Sequence, residues 1–369
     1  MSLIQYLSRI QFDFDAIDLL ADEISALGLR RPLLVTDRGI EASGILGRAL
    51  HAAHPHKPMV FSGTTENPTE ANLDACLALW AEHGCDGVIA LGGGSALDLS
   101  KAVALLTSHG GRFADYDVKT GGSARIGKVS PQIAIPTAAG TGAEIGRASV
   151  MSLHDGRKCV AVSLKMVADT IIADPGLTLS LPPRLTAATG IDALSHGIES
   201  FLSPSYNPPA DAIALDAVAR TARSLRRATE VGSDREARRE MMMGALEGGM
   251  ALQKGLGAAH AMATPLGEAH YHHGTLIGIL LPHVVAWNRP FSEDRIARLE
   301  QTTGDGRPLE RWLSDLVGDL GLPQTLSALG VHSADLPSIA VKAAKDHLTL
   351  TNPRPTGADD YGTLLLEAM

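Results

Sequence analysis

The residues with the clearest chemical potential are an aspartate and several histidines in the second half of the chain. Asp192 and His196 are four positions apart in a segment with a helical pattern, so both side chains would lie on one face. A second helical segment carries His260, and His273 stands at its far end just before Gly274. One carboxylate and three imidazoles suit Fe(II), Zn(II), Co(II) or Mn(II). The sequence therefore predicts a divalent metal site at these four side chains.

The choice of the last ligand is open on spacing alone, because His270, His272 and His273 fall within four positions. A single histidine on an apolar helix face is more often a core or surface residue than a ligand. The clustering with Asp192 and His196 favours the metal, and we select His273.

A glycine-rich segment in the first half is typical of an anion site. Residues 92–101 follow a strand pattern and open a helix, so Gly93, Gly94 and Ser95 would offer backbone N–H groups to a pyrophosphate. Asp37, at the end of the first clear strand, would favour a ribose 2′-hydroxyl over a 2′-phosphate, which predicts NAD rather than NADP. The alternatives are a helix N-cap for Asp37 and a tight turn for the glycines.

Three further polar residues are candidate contacts for the same cofactor. Thr137 and Thr141 stand in a glycine-rich turn after another strand pattern and would bind phosphate or the nicotinamide ribose. Lys158 would neutralise part of the pyrophosphate. The alternatives are a solvated loop for the threonines and a surface charge for the lysine.

The elements that position these residues divide into two halves. Between residues 16 and 174, helical patterns alternate with apolar runs at 32–37, 59–63, 87–95 and 132–137, as in a parallel sheet buried on both faces. A β-hairpin is predicted around Asp155 and Gly156. Later residues are mainly helical. We therefore predict an α/β dinucleotide-binding domain with a parallel sheet at residues 1–176 and an all-α metal-binding domain at 177–369.

The composition limits the classes of partner. A net charge of −9 and only 4% aromatic residues argue against nucleic-acid binding. The longest apolar stretch, 276–287, is interrupted by Pro282 and His283 and is too short for a bilayer, so no membrane partner is expected. Three cysteines form no disulfide pattern, and the first residues lack a secretory signal, so we expect a cytoplasmic location.

The motifs taken in order resemble those of the iron-containing (group III) alcohol dehydrogenases. The matching features are Asp37, NPT at 67–69, GGGSxxDxxK at 92–101, PTxxGTGxE at 136–144, DxxxH at 192–196 and the two later histidines. The resemblance implies a dehydroquinate-synthase-like architecture with metal and substrate in the cleft between two domains, and a homodimer or larger homo-oligomer. It also implies NAD contacts at Asp37, Asn67, Gly93, Gly94, Ser95, Asp98, Thr137, Thr141 and Lys158.

The activity implied by the resemblance is metal-dependent, NAD(H)-linked interconversion of a small primary alcohol and its aldehyde, with Fe2+ or Zn2+. Several stretches, including residues 201–216, look most like the 4-hydroxybutyrate dehydrogenases, which makes 4-hydroxybutyrate and succinate semialdehyde candidate substrates. A substrate carboxylate would need a fixed guanidinium, and Arg147 is the candidate, with a surface role as the alternative.

Two departures from the family pattern affect proton transfer. Many members have a second histidine where this chain has Thr264, and the segment between His260 and Gly274 is shortened. His270 is our candidate proton relay, and His272 is another residue that could take this role. The alternative for His270 is a surface histidine or one that only supports a metal ligand. Two other functions compete: an NAD- and metal-dependent lyase like dehydroquinate synthase, which would need a denser basic pocket, and a non-catalytic NAD-binding protein.

Overall fold

The computed structural model of the chain describes residues 8–268 and 271–369. These residues form two compact units. The α/β unit comprises residues 8–138 and 143–180, and the helical unit comprises 139–142 and the described residues from 181 onward. The chain leaves the α/β unit after Ser180, and the assignment of functional domains at 1–176 and 177–369 stays a prediction.

The α/β unit is built on a six-stranded parallel sheet with the order β1-β8-β5-β4-β2-β3. A separate two-stranded antiparallel hairpin consists of β6 and β7. The strands are β1 (Arg9–Phe12), β2 (Pro32–Val35), β3 (Met59–Phe61), β4 (Gly87–Gly92), β5 (Gln132–Pro136), β6 (Ala148–Ser152), β7 (Lys158–Val162) and β8 (Thr170–Ala173).

Apolar clusters on both faces of the sheet explain its continuous hydrophobic runs. Leu33 and Val35 of β2 join one buried cluster, whereas Leu34 between them joins the other. Successive side chains of a strand point to opposite faces, so a strand covered on both sides must be apolar at every position. The helices of this unit are α1 (Leu20–Ala26), α2 (Arg38–Ala42), α3 (Ile45–Ala52), α4 (Glu70–His83) and α5 (Gly94–His109).

The four predicted strands and the predicted hairpin are confirmed, but the sequence patterns missed β1 and β8. Both strands have only four residues, and they pair with each other in parallel from opposite ends of the unit. The hairpin turns at Gly156, which has a positive φ of 82°. Short strands whose partners are distant in sequence leave little local signal.

The helical unit is arranged around α6, which packs against α7, α8 and α10 and is buried along most of its length. Pro183 begins α6, where its missing N–H costs no hydrogen bond. The helices are α6 (Pro183–Leu202), α7 (Pro208–Glu230), α8 (Arg235–Ala251), α9 (Ala258–Gly267), α10 (His273–Thr303), α11 (Leu309–Asp319), α12 (Leu336–Ala344) and α13 (Ala358–Glu367). Within the described ranges, no helix has both the length and the apolar character needed to cross a bilayer.

Candidate active site

The buried helix α6 carries the first two predicted metal ligands. Asp192 and His196 are both under 5% exposed, and His196 Nε2 lies 3.6 Å from Asp192 Oδ1. One helical turn separates the two residues, which brings their side chains to the same face. The predicted pair is therefore present as a close contact inside the helical unit.

Two more helices bring the remaining predicted ligands to the same aspartate. His260, in the first turn of α9, and His273, the first residue of α10, each place Nε2 3.5 Å from Asp192 Oδ1. Close approach of α10 to α6 depends on Gly274, since a β-carbon there would lie 2.1 Å from the carbonyl oxygen of Ala188. The glycine after His273 lets that histidine reach the face of α6 that carries Asp192.

The donor atoms fit a divalent metal. Asp192 Oδ1 and His260 Nε2 are buried, and neither has a hydrogen-bond partner in the described part of the chain. One ligand atom each from Asp192, His260 and His273 lie within 4.8 Å of one another, and the His196 ring stacks on that of His260 with centroids 5.1 Å apart. Tetrahedral ligands at ~2.1 Å from a metal are ~3.4 Å apart. This is close to the 3.5 to 3.6 Å between Asp192 Oδ1 and the three imidazole nitrogens.

Electrostatics keep the aspartate ionised. Burial favours the neutral carboxyl of Asp192, but His196 and His273 outweigh it and hold its pKa well below the usual range. Burial lowers the pKa of His196 to about 4, which favours the neutral ring that a metal requires. The pKa of His260 is raised to about 9, because Glu199 and Asp192 outweigh the opposing effect of burial.

Glu199 is a site residue that the sequence reasoning missed. Its Oε2 lies 2.5 Å from His260 Nδ1, and its Oε1 accepts a hydrogen bond from the backbone N–H of Ala259 at 2.9 Å. A carboxylate on Nδ1 fixes the orientation of a histidine and leaves Nε2 for the metal. The available signal was its position on α6, seven residues after Asp192 and three after His196.

The predicted proton-relay region is only partly described. His270 lies outside the described residues, so its role stays a prediction. His272 immediately precedes α10, with Nδ1 3.4 Å from Thr275 Oγ1. Thr264, one turn after His260, donates its hydroxyl to the carbonyl oxygen of His260 at 3.1 Å.

In the α/β unit, Asp37, the glycine-rich turn and Thr137 lie at the carboxyl ends of the adjacent parallel strands β2, β4 and β5. Asp37 follows β2, and its Oδ1 caps α2 by accepting the N–H of Ile40 at 3.0 Å. Gly92 ends β4 with a φ of 155°, and a β-carbon there would lie 2.8 Å from Ala96 and 3.4 Å from Asp37 Oδ2. Asp37 and the glycine turn are therefore neighbours, although they are far apart in sequence.

The first turn of α5 presents backbone N–H groups with no side-chain cap, because its N-cap is Gly93. Gly94 and Ser95 form the start of this helix. Thr137, buried directly after β5, donates its N–H to the carbonyl of Gly92 at 3.1 Å. Thr141 is exposed and belongs to the short segment 139–142 of the helical unit.

Asn67 and Lys158 are brought together by the hairpin. Lys158 Nζ donates to Asn67 Oδ1 at 3.1 Å, and Asn67 has a positive φ of 55°, a conformation that asparagine tolerates better than most residues. Their predicted NAD contacts stay predictions.

Asp98 and Lys101, two further polar residues of the glycine-rich motif, form hydrogen bonds with the backbone of β6 and of the segment before it. Asp98 Oδ2 accepts the N–H of Val150 at 3.2 Å, and burial raises the pKa of the Asp98 carboxyl to about 6. The buried Lys101 donates to three carbonyl oxygens, those of Ala143 and Gly146 before the hairpin and that of Ala148 at the start of β6. Arg147 is exposed in this segment.

Two family models match consecutive parts of the chain. The model for iron-containing alcohol dehydrogenase matches residues 8–175, and the model for the C-terminal part of the Fe-containing alcohol dehydrogenase family matches residues 186–369. The chain belongs to the iron-containing alcohol dehydrogenase family. It is thus an oxidoreductase of small alcohols, and the predicted family and enzyme class are confirmed.

Individual relatives resemble the chain over its whole length. A 4-hydroxybutyrate dehydrogenase from Cupriavidus necator is 43% identical over 382 residues, covering 100% of both chains. The crystal structure of a 1,3-propanediol oxidoreductase has a TM-score of 0.93 at 31% identity and covers 100% of both chains. A sulfoacetaldehyde reductase from Bifidobacterium kashiwanohense in complex with NAD+ has a TM-score of 0.91 at 28% identity, covering 100% of this chain and 98% of the other.

Proposed function

We propose that this alcohol dehydrogenase uses NAD and one divalent metal, Fe2+ or Zn2+, to interconvert a small primary alcohol and its aldehyde. The metal ligands in this proposal are Asp192, His196, His260 and His273. The observation that carries it is the buried Asp192 Oδ1, which faces three imidazole nitrogens at 3.5 to 3.6 Å and has no hydrogen-bond partner among the described residues. A buried carboxylate oxygen with this arrangement of imidazoles fits a metal cation.

The side chains around that cation have different roles. When bound, the divalent metal would act as a Lewis acid that lowers the pKa of the substrate hydroxyl. Asp192 supplies a full negative charge from a buried position, and Glu199 holds His260 with Nε2 directed at Asp192. His270 is the proposed group that passes the hydroxyl proton to water.

NAD would bind at the carboxyl ends of β2, β4 and β5. The first turn of α5 would receive the pyrophosphate, because its N-cap Gly93 has no side chain to accept the N–H groups, which carry the positive end of the helix dipole. Asp37 would accept hydrogen bonds from the adenosine ribose through Oδ2, since Oδ1 already caps α2. NAD+ bound to the related sulfoacetaldehyde reductase supports the choice of cofactor.

The proposed substrate pair is 4-hydroxybutyrate and succinate semialdehyde. It is supported by the 43% identity to the Cupriavidus necator enzyme of that name. Arg147, exposed in the segment after the PTAAGTGAE turn, is the proposed partner of the substrate carboxylate. A guanidinium binds a carboxylate through two parallel hydrogen bonds, which would separate this substrate from neutral alcohols.

The test follows NADH formation by purified, metal-loaded enzyme offered 4-hydroxybutyrate, 1,2-propanediol, ethanol or butanol with NAD or NADP. We expect the highest kcat/KM with 4-hydroxybutyrate and NAD. Activity on neutral alcohols alone would retain the family and discard the carboxylate site.

The role of Arg147 is tested by Arg147→Met, with Arg157→Met as the control because Arg157 is another exposed arginine of the same hairpin region. Loss of a charge-assisted hydrogen bond should raise KM for 4-hydroxybutyrate by about 10-fold or more and leave butanol kinetics unchanged. Equal effects on both substrates, or the same effect in Arg157→Met, would exclude this role.

A further inference from the structure

We propose that Asn352, near the carboxyl end of the chain, is a positioning residue for the metal ligand His260. It acts through the first turn of α9 and through α10, the helix that begins with His273. This inference rests on the proposed metal function.

The start of α9 depends on side chains from distant parts of the chain. Its N-cap is Gly257, which has no side chain to accept the N–H groups of the first turn. Asn352 Oδ1 accepts the N–H of Ala258 at 3.2 Å, and Glu199 Oε1 accepts the N–H of Ala259 at 2.9 Å. His260 is the next residue, so two outside acceptors fix the backbone directly before the ligand.

Gly257 provides the space for this arrangement. A β-carbon at Gly257 would lie 2.9 Å from Asn352 Oδ1 and 2.9 Å from Glu199 Oε1, so any larger residue would displace both oxygens. Both side chains are buried, with Asn352 6% and Glu199 3% exposed. The loss of either acceptor would therefore leave a backbone N–H unsatisfied away from water.

Asn352 is itself held by α10. Its Nδ2 donates to Asn288 Oδ1 at 2.9 Å, and Asn288 Nδ2 donates back to Asn352 Oδ1 at 2.9 Å. Asn288 belongs to α10 and is 1% exposed. A second bond from Asn352 Nδ2 to the carbonyl oxygen of Arg354 at 2.7 Å fixes the amide orientation.

The amide pair therefore links the two helices that supply His260 and His273. Because His260 is itself in the first turn of α9, a shift of that turn changes the position of the His260 ring relative to both Glu199 and Asp192. Residues beyond the direct ligands that set ligand orientation typically change metal affinity by about 10- to 100-fold. The C-terminal segment around Asn352 is thus part of the scaffold of the metal site.

The test compares Asn352→Ala with Asn207→Ala. Asn207 is a matched control, because it is 5% exposed and caps α7 by accepting the N–H of Ala210 at 3.2 Å. Co(II) is the probe, and its affinity and visible ligand-field absorption are measured on the purified full-length protein without substrate. Both variants should have a lower free energy of unfolding, but only Asn352→Ala should bind Co(II) about 10-fold more weakly and shift the absorption band.

A double-mutant cycle with Glu199→Gln tests whether Asn352 acts on the metal site through α9 and His260. If Asn352 acts through α9 and His260, its effect on Co(II) affinity will be non-additive with that of Glu199→Gln, whereas Asn207→Ala will be additive. Should Asn352→Ala fail to fold, Asn288→Ala removes the link to α10 and leaves Asn352 in place. That variant should also weaken Co(II) binding.

The outcomes separate this inference from the proposed function. Wild-type protein that binds no Co(II) would overturn the metal function itself. Wild-type binding with unchanged affinity and spectrum in Asn352→Ala, or in Asn288→Ala if that variant is used, would overturn the positioning role alone. If Asn207→Ala weakened Co(II) binding as much as Asn352→Ala, the positioning role would also be overturned.

Discussion

At the residue scale, the two carboxylate oxygens of Asp37 have different surroundings. Its sequence position at the end of a strand left two interpretations open, a helix N-cap and a ribose ligand. The structure shows the cap through Oδ1 and leaves Oδ2 beside Gly92. In our proposal the ribose binds to Oδ2, so a substitution can separate this role from the helix cap through Oδ1.

Asp37→Ser should weaken discrimination between NAD and NADP while the protein stays folded. Serine is a good N-cap and retains an oxygen for the N–H of Ile40, but it removes the negative charge that favours a 2′-hydroxyl over a 2′-phosphate. We expect KM for NAD to rise by about 10-fold and the kcat/KM ratio of NAD to NADP to fall by at least that factor. Steady-state kinetics with both cofactors provide the measurement.

Asp37→Asn is the control for this prediction, since it keeps the size and the cap and removes only the charge. A serine variant that keeps the wild-type cofactor ratio would show that Asp37 is solely a helix cap.

Residue spacing predicted the close pair Asp192 and His196 but neither the choice of His273 nor the contact of Glu199. Asp192 and His196 are one helical turn apart, so their proximity follows from helix geometry alone. The contact of Glu199 with His260 spans 61 positions and arises only when α9 packs near α6. No local pattern in the sequence encodes that packing, although the position of Glu199 on the same helix as the first two ligands was visible.

At the element scale, the contact between α6 and α10 sets the distance from His273 to Asp192. Helix type was predictable here from the long helical patterns, but the approach of the two helices was not. It depends on the backbone of Gly274 passing close to the carbonyl oxygen of Ala188. The small residue removes a steric barrier that no periodicity analysis detects.

Gly274→Ala should separate the two helices and weaken the metal site. The new β-carbon would lie 2.1 Å from Ala188 O, and overpacking of this kind typically lowers the free energy of unfolding by about 1–3 kcal/mol. Co(II) affinity should fall as well, because His273 moves away from Asp192. Urea unfolding and Co(II) titration measure the two effects.

Gly278→Ala is the matched control, one turn further along α10. A β-carbon there would be no closer than 3.4 Å to any neighbouring atom, so the change should be neutral or stabilise the helix by about 0.5–1 kcal/mol. Similar behaviour of the two variants would contradict a steric role for Gly274.

At the scale of the whole molecule, buried carboxyl groups in the α/β unit make stability depend on pH. Burial raises the pKa of Glu144 from 4.5 to about 7, against the opposing charge of Lys101. A carboxyl whose pKa is raised by folding binds its proton more tightly in the folded state. Its contribution to stability is therefore retained at low pH and is lost as the pH rises toward 7.

Glu144→Gln should remove this part of the pH dependence. The difference in free energy of unfolding, variant minus wild type, should increase between about pH 5 and about pH 7.5, because only the wild type must ionise a buried group. Urea unfolding across this range provides the measurement, with the exposed Glu41→Gln as the control. A difference that is constant with pH would contradict the argument.

The sequence predicted the two-part architecture because its two periodicities, short apolar runs and long helical patterns, change near residue 176. The order of the strands could not be predicted from the sequence, because β1 pairs with β8 across more than 150 residues. The expected homo-oligomer rests on the family resemblance, and the expected cytoplasmic location rests on the cysteines and the first residues, so both stay predictions.

The most direct test of the account is the metal dependence of the purified enzyme. The chelated protein is reconstituted with Fe(II) or Zn(II), and bound metal and NADH formation are measured together for wild type and Asp192→Asn. We expect one metal per chain, activity that disappears on chelation and returns with metal, and both lost in the variant. Activity that survives thorough chelation, or an Asp192→Asn variant with wild-type metal content and turnover, would contradict it.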